Sequence, residues 1–187
     1  MSASNLRALI AEYEVRWPEE SATADRFRQL LVDEGRCFDR DYWVGHITGS
    51  AWVVNPAQTH VLLTHHKKLD IWVQLGGHSD GDADTVRVAQ KEAEEEGGVP
   101  VSLINEQIFD LDIHEIPARK DDPAHYHFDV RFAFTAAHED FVVSDESHQL
   151  AWVEIADLAA LTQEESMLRM ARKWRLQNAY PTKDFKR

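Results

Sequence analysis

The chain predicts an α/β fold, a mixed β-sheet with helices packed on it, and three observations carry that reading. From Trp43 onward, short apolar segments with β-branched and aromatic residues recur between turn signals. One of them runs into Gly76-Gly77 and is followed by a helical pattern that ends at Gly97-Gly98. Helical periodicity also occupies both ends of the chain.

Residues 2–16 place Leu6, Leu9, Ile10 and Tyr13 at helical spacing. Pro18 interrupts the pattern, and residues 19–34 carry Phe27, Leu30 and Leu31 on a second helix, with Gly35 as its stop. This arm of about 40 residues holds no recognisable chemistry and is expected to pack on the domain or on a second copy. VGHITGSAWVV and THVLLTHH predict two strands of a hairpin around the turn NPAQ. IWVQL is a further strand, and a helix follows from about Asp84 to Glu96. SLINEQIFDLDIHEI and HYHFDVRFAFTA predict a second strand pair joined by the polar loop PARKDDPA. QLAWVEI is the last strand, and DLAAL and residues 163–178 are helical. The expected organisation is a helical extension over residues 1–40 and one domain over 41–187.

The bulk composition narrows the function. At 187 residues, with 43% hydrophobic and 28% charged residues, the chain is long enough for a real core. Its formal net charge of −13 argues against a nucleic-acid partner, because no excess of cations exists to neutralise phosphates. An acidic protein can still take phosphorylated substrates when a divalent metal supplies positive charge. The lone Cys37 excludes an internal disulfide and is read as a buried or indifferent thiol. No apolar leader or run of about 18 apolar residues occurs, so a cytoplasmic protein without membrane contact is expected.

The central question is the stretch QKEAEEEGG, with Glu92, Glu94, Glu95 and Glu96 inside five positions. Like charges that close repel on a helix. At about 100° per residue, Glu92, Glu95 and Glu96 share an arc of about 100°, while Glu94 points roughly the other way. Val86, Ala89 and Ala93 form an adjoining apolar arc that can dock on the sheet. Three carboxylates beside a buried face, near glycines that let backbone approach, suit a hard cation that bridges to phosphates.

Residues 77–99 resemble the Nudix box, whose pattern is G-x5-E-x7-R-E-U-x-E-E-x-G-U with U a bulky aliphatic. Gly77 is its first glycine, Lys91-Glu92-Ala93 stand at its REU triplet, Glu95-Glu96 at its EE pair, and Gly98-Val99 close it. Two positions depart: Ala83 replaces the first glutamate and Lys91 the arginine. Asp82 and Asp84 flank Ala83 and offer substitutes for its hydrogen-bonding role, and lysine keeps the charge but loses the bidentate fork. The strands on either side resemble Nudix surroundings too, over about residues 43–160.

The resemblance implies a Nudix-like α/β/α sandwich and Mg²⁺-dependent hydrolysis of a diphosphate in a nucleoside diphosphate linked to another moiety, with Mn²⁺ as a substitute ion. It assigns metal binding to Glu92, Glu95, Glu96 and a backbone carbonyl at Gly77 or its neighbour Gly76, and proton transfer to Glu95 or Glu96. Glu146, in the loop SDESHQ, is the candidate helper from outside the box. His78, Lys67, Lys68 and Arg131 are candidate substrate contacts. The expected partner is a small nucleoside diphosphate derivative, with a homodimer left open. The alternative is a non-catalytic nucleotide-binding or sensor module, which Ala83 and Lys91 favour. A prenyl-diphosphate isomerase on the same fold would need a cysteine in the cleft, and Cys37 precedes the first strand. His78, His125, His127 and the pair His65-His66 also raise a transition-metal site. No HExxH-like spacing supports it, and the expectation is that His78, His125 and His127 line the cleft or pair with backbone.

Overall fold

A computed structural model describes residues 3–33, 35–67, 70–119, 122–142 and 147–179. Two helices come first, α1 (Ala3–Arg16) and α2 (Ser21–Leu30), with a 3-10 turn at Pro18–Glu20 between them. Strands β1 (His46–Val54), β2 (His60–His66), β3 (Ile71–Val73) and β4 (Leu75–His78) lead to helix α3 (Thr85–Gly97). Strands β5 (Val101–Leu103), β6 (Asp110–Ile116), β7 (His125–Ala136) and β8 (Ser147–Glu154) follow, then α4 (Leu158–Leu161) and α5 (Glu165–Ala179).

The eight strands form one mixed sheet. Its centre is the parallel pair β1–β7, in register from His46↔His127 to Val54↔Thr135. The expected hairpin of β1 and β2 is antiparallel but touches only at Val54↔Val61. Past that point β2 turns to β3, while β8 pairs with β2 from His60 to His66, and β1 takes β4 instead, from Thr48↔His78 to Ala51↔Leu75. The segment IWVQL is therefore not one strand. It breaks at Gln74, so that β3 serves β2 and β4 serves β1. The segment SLINEQIFDLDIHEI likewise divides into β5 and β6, both antiparallel to β7.

Alternation along the central strands divides the interior in two. Ile47, Ala51 and Val53 of β1, with Phe128, Val130, Phe132 and Phe134 of β7, face one core together with Ala89 and Ala93 of α3. Leu6, Ile10 and Tyr13 of α1 and Phe27 of α2 are fully buried in that same core. The N-terminal arm thus packs on the sheet beside α3, and Cys37 is buried with it. The opposite face carries Trp52, Val54, Val61 and Leu63 under Met167, Met170, Ala171 and Trp174 of α5. The result is an α/β/α sandwich. Among the described residues no helix is long and apolar enough to cross a membrane.

Candidate active site

Asp84 caps α3 by accepting from the Arg87 N–H at 3.1 Å, and Gly98 ends it in the left-handed conformation (φ 63°) that favours glycine. Val88, Ala89 and Ala93 bury one side of the helix. The sheet approaches so closely that a Cβ on Gly49 would lie 2.9 Å from the Thr85 carbonyl oxygen. That docking fixes where the glutamates stand relative to β4.

Glu96 accepts a hydrogen bond from the Gly76 N–H at 3.1 Å. Glu92 lies against Gly77, where a Cβ would come within 2.5 Å of its Oε2. Two carboxylates therefore converge on the backbone of the double glycine, in space that any other residue at 77 would fill. Glu95 extends outward, its side chain 61% exposed. Lys91 spans Glu92 and Glu95 at 3.6 and 3.4 Å, and the two carboxylates raise its pKa, Glu92 foremost. The lysine partly offsets the like-charge repulsion that the box would otherwise carry. Glu94 is less idle than its place on the wheel implies. It accepts from the Gln90 side chain at 3.2 Å and from the Val101 N–H at 3.3 Å, tying α3 to β5.

The two departures from the box have visible consequences. Ala83 packs against the apolar core. The flanking acids are otherwise engaged: Asp82 holds the Arg87 guanidinium at 2.6 and 2.8 Å, and Asp84 caps the helix. Arg40, from the segment before β1, forms a forked pair with Asp80, and Glu92 is among the charges that act on it. A second cation thus stands near the glutamates, and nothing in the residue pattern marked it.

The other candidates fall differently. His78 follows Gly77 on β4 but projects from the alternate face of the strand, away from the glutamates. Lys67 is exposed just past β2, while Lys68 and Glu146 lie outside the described residues. Arg131 corrects its expected role as a phosphate contact. It is only 2% exposed, and its guanidinium is held by Asp129 at 2.7 Å, Asp110 at 3.0 Å and Asp112 at 3.3 Å. Asp110 also takes Arg169 and Lys173 of α5, and Lys173 reaches Glu20 of the arm. Burial pushes the carboxyls of Asp110 and Asp112 up, but the surrounding cations and hydrogen bonds outweigh it and hold both below the usual range. Arg131 belongs to a buried charge network that joins sheet, α5 and N-terminal arm.

On the same face as Arg131, the sheet is polar toward the N-terminal ends of β1 and β7. Asp129 accepts from Thr48 at 2.9 Å, Ser50 at 2.7 Å and Gln74 at 3.1 Å. Next to it lie the rings of His46, His78, His114, His125 and His127. Burial, then His78 and His125, push the His46 pKa down to about 4, and burial followed by His78 and His46 pushes His127 to about 2. The polar period-2 run His46, Thr48, Ser50 in an otherwise apolar strand signals this face in the sequence, although only its partners on β7 were singled out.

Residues 46–174 match the NUDIX domain. A search of the curated proteins returns no match. Among solved structures, a NUDIX-family hydrolase from Clostridium perfringens is 26% identical, superposes with a TM-score of 0.54, and covers 70% of this chain and 97% of its own. The dihydroneopterin triphosphate pyrophosphohydrolase of E. coli (18% identity, TM-score 0.56, 70% and 95% covered) has the same fold. So does an Ap4A hydrolase of C. elegans (16%, 0.54, 71% and 97%). With the NUDIX domain matched over residues 46–174 and Glu92 and Glu96 converging on the double glycine, the chain belongs to the Nudix family of hydrolases.

Proposed function

We propose that the protein hydrolyses the diphosphate bond of a nucleoside diphosphate linked to another moiety, using a divalent cation held by the box. The observation that carries this is the convergence of Glu92 and Glu96 on the Gly76-Gly77 backbone. The donor set fits Mg²⁺ or Mn²⁺: carboxylate oxygens from Glu92, Glu95 and Glu96 and a backbone carbonyl at Gly77, with no nitrogen or sulfur among them. When bound, such an ion neutralises developing phosphate charge and acidifies a water. Gly76 keeps the Glu96 carboxylate aimed through its N–H. Lys91 lies within ion-pair distance of Glu92 and Glu95 and offsets part of their mutual repulsion. Glu95 or Glu96 would take the attacking water's proton, with Glu146 as a helper from the last loop. His78, Lys67 and Lys68 would contact the substrate.

The test is a panel of diphosphate compounds incubated with Mg²⁺ or Mn²⁺, with phosphorus-containing products followed. Cleavage of a nucleoside diphosphate derivative that needs the metal, and that falls about 10²-fold or more in Glu96→Gln, is expected. The packed Ala83 favours the alternative of a binding-only module. A flat panel accompanied by tight nucleotide binding would establish that alternative.

A further inference from the structure

We propose that His46, His125 and His127 form a second metal site, for a first-row transition ion of the zinc class, on the sheet face away from α3. Pairing of β1 with β7 sets His46 directly across from His127. His125 lies two residues earlier on β7, so all three rings project from one face. Their centroids are 4.8 to 5.3 Å apart, and each ring offers a nitrogen within 4.8 Å of the others.

The nitrogens are arranged as ligands rather than as hydrogen-bonding groups. His46 is 1% exposed, and neither of its ring nitrogens has a partner of good hydrogen-bond geometry, the Tyr42 backbone being the polar group it approaches. The Nε2 of His127 is buried without a partner as well. Buried polar groups are nearly always paired, so an unpartnered nitrogen on His46 and another on His127, each within 4.8 Å of a nitrogen of His125, call for an occupant. The Nδ1 of His125 lies 2.8 Å from the Pro123 carbonyl, which as its acceptor makes Nδ1 the N–H and turns the Nε2 lone pair toward the other rings. Burial keeps His46 and His127 neutral, the form that binds metal. Nitrogens around a tetrahedral zinc lie about 3.4 Å apart at the usual Zn–N distance, so the rings close by an ångström or so on binding.

Three imidazoles and no carboxylate among the proposed ligands select against Mg²⁺ and Ca²⁺. The fourth position is left to water or an oxygen ligand. His78 and His114 flank the site, with ring centroids 5.0 and 5.4 Å from His127, and His114 is backed by Asp112 at 3.1 Å. This site is distinct from the glutamate cluster in chemistry and in the face it uses.

The full-length protein, stripped with a chelator and held in excess Mg²⁺, is titrated with Zn²⁺ by calorimetry while histidine ring resonances are followed by NMR. Saturation at a single equivalent is expected, with the His46, His125 and His127 signals shifted. His127→Gln and His125→Gln should weaken binding at least 10- to 100-fold. Glu96→Gln should leave it unchanged. The absence of stoichiometric Zn²⁺ binding by the folded wild type, or binding abolished by Glu96→Gln while the ring signals stay put, would overturn the site. The wild-type resonances decide the question even if a histidine variant fails to fold.

Discussion

At the scale of residues, the two adjacent glycines do different work. A Cβ on Gly77 would first meet the end of the Glu92 side chain, at 2.5 Å from Oε2. Gly77→Ala should therefore keep its fold and, if Glu92 holds the metal as proposed, lose turnover by about 10²-fold. A Cβ on Gly76 would lie 2.8 Å from the Ser50 Cα, against backbone that cannot rotate away. Gly76→Ala should cost about 1–3 kcal/mol of stability, read by denaturant melts. If both variants lose only activity, or both only stability, the assignment is wrong. The histidines give a pH prediction. Their folded pKa values, about 4 for His46 and about 2 for His127, lie below the unfolded value of about 6.5. The unfolded chain binds more protons between those limits, so stability is full above pH ~6.5 and falls as pH drops toward the folded values. In chelator, Tm should fall by several degrees from pH 7 to pH 5, at ~2–4 °C per kcal/mol, and His127→Gln should flatten that slope. An unchanged slope in the variant would contradict the buried neutral state. Among single residues, the approach of Glu92 and Glu96 to the double glycine was legible because their spacing is local, whereas Glu95, expected on the same arc, extends outward. Arg131 was misread because its surroundings, Asp110 and Asp112, come from another strand twenty residues away.

At the scale of elements, period-2 and period-3.6 patterns placed the helices and the strands β1, β2, β7 and β8 to within a few residues, but merged β3 with β4 and β5 with β6. The partners were harder to read. Nothing in β1 announces that it pairs in parallel with β7 across some 80 positions, and the β1–β2 hairpin was overestimated because the NPAQ turn is local while the switch to β4 is not. Gln74 shows why IWVQL looked continuous. It is polar at a break where its side chain turns to Asp129, which only tertiary structure reveals. The same non-local logic governs the packing of α5. Asp110 is completely buried between Arg131, Arg169 and Lys173. Asp110→Asn would leave those cations without a counter-charge in the interior, and a loss of about 3–5 kcal/mol in a urea melt is expected. A loss below ~1 kcal/mol would mean that the network is solvated.

At the scale of the whole molecule, the N-terminal arm is part of the core. Leu6, Ile10, Tyr13 and Phe27 are fully buried, and Lys173 reaches both Tyr13 and Glu20. Ile10→Ala should destabilise by about 2–5 kcal/mol and leave kcat intact. Removing residues 1–35 should abolish cooperative unfolding. A deletion variant that stays folded yet loses turnover would instead place the arm in catalysis.

The central claim is that a divalent cation makes the glutamate cluster tolerable. It is tested most directly by the thermal stability of wild type, Glu96→Gln and Glu94→Gln with and without Mg²⁺. Glu96 is the cleanest probe, because Lys91 is paired with Glu92 and Glu95 instead. Without metal, Glu96→Gln should equal or slightly exceed wild type, since a repulsion is relieved and glutamine can still accept from Gly76. With Mg²⁺ at about a hundred times Kd, wild type should gain about 2.7 kcal/mol, and Glu96→Gln far less, reversing their order. Glu94→Gln should follow wild type in both conditions. Equal small effects at both positions, indifferent to Mg²⁺, would mean a solvated acidic face and contradict the account.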